Sequence, residues 1–162
     1  MLNIAIVYHS ETGNTEKMAK LVAEGAENIE DINTDIMKVN ELDEDKLKSA
    51  QAVLFGSPTY YGTMSWQMKK CIDTFPVKLE GKLGAVFASA AWPGGGGYEL
   101  SEINMIQGLL IRGMLIYSGG VVTGNPPTHF GAVSQQAPQE FDADRCRKLG
   151  QNIAEKTVEL FG

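Results

Sequence analysis

The stretch of sequence that decides the fold reads Ile4-Ala5-Ile6-Val7-Tyr8-His9-Ser10-Glu11-Thr12-Gly13-Asn14-Thr15. Its first five residues form an uninterrupted apolar run of strand length, which is typical of a strand buried on both faces. The polar residues after it lead into a helical pattern from about residue 15 to residue 28, where Met18, Leu21 and Val22 recur on one face. A buried strand, a polar turn and a helix in this order predict the first unit of a parallel α/β sheet.

The rest of the chain repeats this alternation of apolar runs and amphipathic stretches. Strands are predicted at residues 34–39, 52–56, 83–90 and 114–117, and helices at 42–48, from about 65, at 98–112 and at 142–160. Residues 119–139 are rich in Gly, Pro, Ser and Gln and are predicted to form a long loop. We therefore expect the α/β fold class, with a doubly wound parallel sheet of five strands, and one domain over residues 1–162.

The composition limits the classes of function. The chain has 162 residues, 43% of them hydrophobic, and a formal net charge of −6, which argues against nucleic acid or an anionic membrane as a partner. No apolar run reaches about 18 residues, and the start of the chain does not resemble a signal peptide, so a cytoplasmic protein is expected. Cys71 and Cys146 are too far apart in the sequence for a redox pair or a zinc cluster, and no metal site is expected.

Ligands of such sheets bind beyond the carboxyl ends of the strands, which draws attention to the segment after the first strand. Ser10, Thr12, Gly13, Asn14 and Thr15 cluster there at a helix amino terminus, where unpaired N–H groups and hydroxyls favour an anion. No Lys or Arg accompanies them, which favours a phosphate monoester over a triphosphate with magnesium. The alternative is a helix N-cap and a turn, where Ser, Thr and Asn are also common.

Other phosphate-binding classes lack their required residues. A dinucleotide-binding turn needs G-x-G-x-x-G and a P-loop needs Gly-Lys followed by Ser or Thr, and neither follows the first strand. A receiver domain needs an acidic residue at the end of the third strand, where this chain has Gly56-Ser57-Pro58. A cysteine phosphatase needs a thiol in the first loop, which contains none.

The segments after the third and fourth strands carry aromatic side chains next to glycine. Tyr60 and Tyr61 stand between a proline and a glycine, and Trp92 closely precedes four consecutive glycines. Such side chains are suited to form walls for a planar ligand, and the alternative is packing in the core or at an interface. A phosphate at the first loop and a planar ring between the other two describe flavin mononucleotide (FMN).

The same residues resemble the flavodoxin-like superfamily. The segment 10–15 resembles the FMN phosphate loop of flavodoxins. Segment 56–68 with Asp73, together with 94–97, 112–114 and 129–132, resembles the NAD(P)H:quinone oxidoreductases of the tryptophan-repressor-binding-protein A (WrbA) family. The chain is shorter than that family between strands two and three, and its phosphate loop is closer to that of true flavodoxins, so a short-chain flavodoxin is the alternative.

The resemblance implies a sheet order of 2-1-3-4-5 and an FMN site built from three loops. The cofactor-binding residues that it implies are Ser10, Glu11, Thr12, Gly13, Asn14, Thr15, Pro58, Thr59, Tyr60, Tyr61, Gly62, Ser89, Ala90, Ala91, Trp92 and Gly94. It also implies that the flavin, and not a catalytic side chain, carries out the chemistry. His129 is a further candidate, as a residue that reaches the flavin of a partner subunit.

Two functions follow from the resemblance. The first is an FMN-dependent oxidoreductase that passes electrons from NADPH or NADH to quinones or similar acceptors. The alternative is a flavodoxin, a non-enzymatic electron carrier with a redox protein as its partner. Tyr60, Tyr61 and Trp92 are also candidates for shielding across a two-fold interface, which would make the protein a homodimer.

Overall fold

The computed structural model describes residues 1–92 and 95–162. The strands are β1 (Leu2–Tyr8), β2 (Ile32–Lys38), β3 (Ala52–Tyr60), β4 (Thr63–Met64), β5 (Leu83–Ala90), β6 (Leu115–Ile116) and β7 (Ala132–Gln135). The helices are α1 (Asn14–Glu27), α2 (Glu44–Ser49), α3 (Trp66–Asp73), α4 (Tyr98–Ile111) and α5 (Glu140–Phe161). Strands and helices alternate along most of the chain, so the predicted α/β fold class is confirmed.

The sheet has the order β2-β1-β3-β5-β6, and all of these neighbours are parallel. The short strand β4 only turns back on the end of β3, in antiparallel pairing. When β4 is set aside, the parallel strands follow the order 2-1-3-4-5, and the predicted topology is confirmed. The sheet order reverses beside β1, and the carboxyl ends of β1, β3 and β5 lie together at one edge.

Helices cover both faces of the sheet, as the strand sequences require. Along β1, Ile4 and Ile6 pack in the core under α1 and α5, whereas Ala5 and Val7 pack in the core under α3 and α4. This alternation of side chains with a period of two explains why β1 is apolar throughout.

Two glycines set the contact between α1 and α5. A Cβ atom on Gly25 would lie 2.0 Å from the carbonyl oxygen of Arg147, and one on Gly150 would lie 1.9 Å from the carbonyl oxygen of Val22. No real side chain fits at either distance, so the absence of a side chain at both positions lets the two helices pack backbone against backbone. This contact fixes α1, and with it the loop between β1 and α1.

The predicted long loop at residues 119–139 is wrong in part, because it contains β7. Both β6 and β7 are parallel to β5: Leu83 and Gly84 pair with β6, and residues 87–90 pair with β7. The fifth strand is therefore divided into two short pieces, with the intervening chain on the outside. Four residues of sequence Ala-Val-Ser-Gln are too short and too polar to show the apolar run by which the other strands were predicted.

Within the described residues, no helix is both long enough and apolar enough to cross a membrane.

Candidate functional site

Three loops meet at the carboxyl edge of the sheet and enclose a cavity of about 180 Å³. They follow β1, β3 and β5, which are neighbours in the sheet, so parallel pairing brings their ends together. The residues that line the cavity are Ser10, Glu11, Thr12, Asn14, Thr15, Pro58, Thr59, Tyr60, Ser89, Ala90 and Ala91. Every one of them is among the cofactor-binding residues predicted from the sequence.

The first loop ends in a backbone arrangement suited to an anion. Gly13 is the N-cap of α1 with φ 91°, in the left-handed region that favours glycine. Its N–H donates a hydrogen bond to Ser10 Oγ at 3.0 Å, which folds the loop over the start of the helix. The first N–H groups of a helix have no partner within it and carry partial positive charge. The amino terminus of α1 therefore offers several donors to the cavity.

A buried hydrogen bond joins the first loop to the third. Thr15 Oγ1 lies 2.9 Å from Ser89 Oγ, and both residues are almost completely buried. Thr15 stands in the first turn of α1, and Ser89 is near the end of β5. Because the loop after β3 lies between these two segments, the bond holds two walls of the cavity at a fixed separation.

The second loop is a tight hairpin between β3 and β4. Thr59 pairs with Met64 and Tyr60 with Thr63, which leaves Tyr61 and Gly62 as the two turn residues. Both have positive φ, 49° for Tyr61 and 82° for Gly62, as in the turns that connect short antiparallel strands. The Tyr61 side chain is fully exposed, so its strained backbone gains no burial in return.

Hydrogen bonds beneath the hairpin hold it to the helices. Ser57 Oγ accepts a hydrogen bond from the Ser65 N–H at 2.9 Å, and Ser65 caps α3. Ser101 Oγ on α4 donates to Thr59 Oγ1 at 3.0 Å. The second wall of the cavity is therefore fixed to α3 and α4, which cover that face of the sheet together with α2.

A polar cluster beside the cavity was not predicted from the sequence. His9 Nε2 lies 3.7 Å from Glu11 Oε1, and Gln67 Nε2 donates to the same oxygen at 3.3 Å. The edge of the His9 ring faces the Tyr60 ring, with 6.3 Å between ring centroids. Burial lowers the pKa of His9, although Glu11 opposes the shift. The position of His9 directly after β1 could have marked it as a residue of the site. The position of Gln67 on α3 gives no such indication.

The third loop is joined by a fourth segment, which follows β7. The Gln136 N–H donates to the Ala90 carbonyl at 2.7 Å, and Gln136 Nε2 donates to the Ala91 carbonyl at 3.3 Å. Gln136 was not predicted from the sequence, because β7 itself was not predicted. Trp92 is exposed beside this segment. Gly94, a predicted cofactor residue, lies outside the described residues.

Three further predicted residues lie at the margins of the site or away from it. Gly13 and Gly62 shape their loops through positive φ. His129 is held elsewhere, with its Nδ1 atom 2.9 Å from a guanidinium nitrogen of Arg145 on α5. The structure thus brings the three predicted loops together but does not bring His129 into the cavity.

The residues present fit a phosphate monoester that is attached to a planar ring. The cavity offers hydroxyl groups from Ser10, Thr12 and Thr15 and the amino terminus of α1, and none of the described residues that line it is Lys or Arg. Exposed aromatic rings, Tyr61 and Trp92, stand on the second and third loops at its margin. Dipoles and hydroxyls suit a monoester, and the aromatic side chains suit a flat ring system.

Comparison with known proteins agrees with this site. A flavodoxin from Clostridium saccharobutylicum is 40% identical over 161 residues, which cover 99% of this chain and 100% of that protein. An NAD(P)H dehydrogenase (quinone) from Archaeoglobus fulgidus is 34% identical over 197 residues, covering 99% of this chain and 100% of that protein. The crystal structure of a flavodoxin, WrbA-like protein from Agrobacterium tumefaciens superposes with a TM-score of 0.78 at 27% identity, over 98% of this chain and 99% of that one.

Both resemblances inferred from the sequence, to flavodoxins and to WrbA-type quinone dehydrogenases, are therefore confirmed. The family model described as Flavodoxin matches residues 6–105, a span that includes all three cavity loops. This chain belongs to the flavodoxin family.

Proposed function

We propose that the chain binds FMN in the cavity at the carboxyl edge of the sheet and acts as a flavodoxin, an electron-transfer protein. The observation that carries this proposal is the hydrogen bond between Thr15 and Ser89 across a cavity that opens onto the amino terminus of α1. When bound, FMN supplies the redox chemistry, because its ring takes up and releases electrons. The protein supplies binding, orientation and electrostatics.

The first loop would hold the phosphate. Ser10, Thr12 and Thr15 supply hydroxyl donors, and Asn14 stands with them at the start of the helix. Gly13 and Glu11 complete the loop. A phosphate at this position gains from the N–H groups and the helix dipole without a cationic side chain.

The second and third loops would hold the ring and the chain that connects it to the phosphate. The residues assigned to this part are Pro58, Thr59, Tyr60, Tyr61, Gly62, Ser89, Ala90, Ala91, Trp92 and Gly94. Support comes from the exposed rings of Tyr61 and Trp92 and from the rigid hairpin beneath Tyr60. No side chain needs to act as an acid or a base in this role.

The alignment lengths favour a carrier over an enzyme. The flavodoxin from C. saccharobutylicum aligns over 161 positions, almost the length of this chain. The alignment with the quinone dehydrogenase from A. fulgidus extends over 197 positions, which is 35 more than the 162 residues of this chain. Those additional positions have no counterpart here, so whatever they contribute to that enzyme is missing from this protein.

The second candidate is an oxidoreductase that passes electrons from NADPH or NADH to quinones or similar acceptors. It is supported by the 34% identity to the quinone dehydrogenase over 99% of this chain. It is also supported by the exposure of Tyr61 and Trp92, which leaves room beside a bound ring for a second planar molecule.

An anaerobic visible spectrum of the FMN-loaded protein separates the two candidates. A carrier keeps its yellow band when NADPH or NADH is added and loses it when dithionite is added. Rapid bleaching by either nucleotide would favour the oxidoreductase. A protein that fails to bind FMN in an equilibrium titration would contradict both candidates.

We also propose that the protein is cytoplasmic and that it forms a homodimer. The free state of Cys71 and Cys146 agrees with a reducing compartment. The exposed Tyr61 and Trp92 rings agree with an interface. Sedimentation equilibrium of the FMN-loaded protein tests the dimer, and a monomer mass at micromolar concentration would reject it.

A further inference from the structure

A second, much larger hollow lies between α3 and α4, with a volume of about 1160 Å³. We call it the α3–α4 groove. It starts beside the β3–β4 hairpin and is lined by residues that include Tyr60, Trp66, Lys70, Gln107, Ile111 and Arg112. The flavodoxin role proposed above assigns no function to most of these residues.

The groove is built into the packing of the two helices. A Cβ atom on Gly108 of α4 would lie 2.9 Å from Ile72 Cγ2 on α3, so the helices approach closely at this point. Trp66 and Ile111 nevertheless remain 66% and 88% exposed. Large apolar side chains exposed in a concave site are typical of binding surfaces.

The groove also carries positive charge in an acidic protein. Lys69 is neutralised by Asp73, whose two carboxylate oxygens both lie 2.7 Å from Lys69 Nζ. The Arg112 guanidinium donates to the backbone carbonyl of Asp73, at 2.8 Å. In the part of the chain that the structure describes, neither Lys70 nor Arg112 forms a salt bridge with a carboxylate. The chain as a whole has a net charge of −6.

The aromatic and cationic groups occupy different parts of the groove. Trp66 begins α3 and Lys70 lies one turn further along the same helix face. Arg112 lies at the carboxyl end of α4 and reaches the end of α3, so it is about 10 Å along α3 from Trp66, at 1.5 Å per residue. The groove therefore passes from an aromatic end beside the hairpin to a cationic end.

Tyr60 connects the groove to the cofactor cavity. Tyr60 lines both hollows, so a molecule at the aromatic end of the groove would lie next to the wall of the proposed FMN site. Apart from Tyr60, the described residues that line the groove differ from those that line the cavity.

From this arrangement we propose that the α3–α4 groove binds a small aromatic anion, with its flat ring against Tyr60 and Trp66 and its negative group toward Lys70 and Arg112. Lys70 and Arg112 supply the positive charge that favours an anion, and Tyr60 and Trp66 supply aromatic rings that favour a flat molecule, so charge and shape together favour this occupant. The proposal concerns a site beside the FMN site and does not require FMN to be bound.

Isothermal titration calorimetry with 8-anilinonaphthalene-1-sulfonate tests the proposal. The titration is made on the FMN-saturated protein and again without FMN, so that a failure of FMN binding is seen separately. Gln107→Trp places a large side chain in the groove, and we expect it to weaken binding at least about tenfold. Leu110→Trp adds the same side chain on an exposed part of α4 that does not line the groove, and it should change the affinity less than about twofold.

Charge reversal provides an independent test. Lys70→Glu should weaken binding about fivefold, and added salt should weaken binding to the wild type more than to this variant. Adenosine monophosphate and naphthalene-2-sulfonate are then added as competitors. Displacement by the nucleotide identifies a nucleotide site, and displacement by the sulfonate alone identifies a site for simple aromatic acids.

Three results would overturn the proposal. The first is equal affinity of the wild type and Gln107→Trp for the sulfonate dye. The second is equal affinity of the wild type and Lys70→Glu. The third is a concentration-dependent dimer that Gln107→Trp dissociates, because the groove would then be occupied by a second copy of the chain.

Discussion

Thr15 Oγ1 and Ser89 Oγ lie 2.9 Å apart in the interior, although 74 positions separate them in the sequence. The pair ties the start of α1 to the end of β5. Thr15→Val keeps the shape of the side chain and removes the hydroxyl, so Ser89 loses its partner and the site loses a donor. We expect FMN affinity to fall about 10- to 100-fold, the range for a hydrogen bond to a charged group. Fluorescence titration with FMN measures the change.

Thr157→Val is the matched control for this substitution. Thr157 is also buried, and its hydroxyl donates to the Ile153 carbonyl at 2.7 Å within α5. Its replacement should cost stability without changing FMN affinity. Equal FMN affinity of Thr15→Val and wild type would show that the Thr15 hydroxyl does not contact the ligand.

A comparison of Gly13 with Gly81 separates the effect of the Gly13 backbone on FMN binding from its effect on stability. Both have positive φ, 91° and 76°, and a Cβ atom on either would meet nothing within 4 Å. Alanine at each position should therefore cost a similar amount of stability, roughly 1 to 2 kcal/mol, from backbone strain alone. Only Gly13 caps α1, so only Gly13→Ala should weaken FMN binding, by about tenfold.

Thermal unfolding without ligand and FMN titration together check this prediction. If Gly81→Ala weakens FMN binding as much as Gly13→Ala, the effect is general destabilisation. The phosphate would then have to be assigned to another part of the chain.

Tyr61 is predicted to lower the stability of the folded protein and to strengthen FMN binding. Tyr61 has a φ of 49° and a fully exposed side chain. This backbone conformation is strained for tyrosine and destabilises the folded state, whereas asparagine adopts it more easily. Tyr61→Asn creates the Asn-Gly pair preferred in two-residue hairpin turns and should raise the free energy of unfolding without FMN by about 0.5 to 1 kcal/mol. The same variant should bind FMN more weakly, because an aromatic wall is lost.

Tyr61→Phe separates the ring from the hydroxyl. It should bind FMN as the wild type does, since the aromatic face remains. If Tyr61→Asn is more stable and still binds FMN with wild-type affinity, Tyr61 is not a wall of the ligand site.

Glu102 should make the protein less stable at neutral pH. It is 2% exposed, and its Oε1 atom has no hydrogen-bond partner among the described residues. Burial raises its pKa well above the ordinary value, Glu99 adds to the shift, and Arg145 opposes it. The folded state therefore keeps a proton that the unfolded state releases. The stabilisation is complete below the ordinary pKa of 4.5 and is lost as the pH rises through the folded-state pKa.

Urea unfolding at a series of pH values measures this effect. Between the ordinary pKa of 4.5 and the folded-state pKa, Glu102 should lower the free energy of unfolding by up to about 1.4 kcal/mol per pH unit. Glu102→Gln should remove the slope and be more stable than the wild type at pH 7. Glu99→Gln, on the exposed side of the same helix, should largely keep the slope. Parallel pH profiles for wild type and Glu102→Gln would contradict the prediction.

The sequence predicts the strands, the helices and the three cavity loops because these depend on local patterns, whereas the strand order was implied by the family resemblance. Runs such as residues 4–8 and 83–90 are apolar throughout because helices cover both faces of the sheet, and such strands are readily recognised. Parallel pairing then brings the loops after these strands together without any knowledge of tertiary contacts. The positive φ of Gly13 agrees with its place at the end of the loop between β1 and α1.

Features that depend on contacts between distant segments cannot be predicted from local sequence patterns. The short strand β7 is stabilised by β5 and by α5 rather than by its own composition, so Gln136 was missed with it. Gln67 reaches Glu11 from a different helix. His129 lies against Arg145 of α5, a contact that the sequence does not reveal, and its approach to the flavin of a partner subunit stays a prediction. The α3–α4 groove depends on the distance between two helices, which periodicity does not encode.

The divided fifth strand has a consequence for the segment that separates its two pieces. The Tyr117 N–H still bonds to the Gly84 carbonyl, and Gly131 packs against the Val86 carbonyl, so the chain leaves the sheet and returns to it at adjoining positions of β5. Hydrogen bonds from Thr128 to Ser118 and Gly120 close the base of the excursion. The segment between β6 and β7 can accordingly change in length without shifting the register of either strand against β5, so insertions at this outer edge of the sheet would leave the three cavity loops in place.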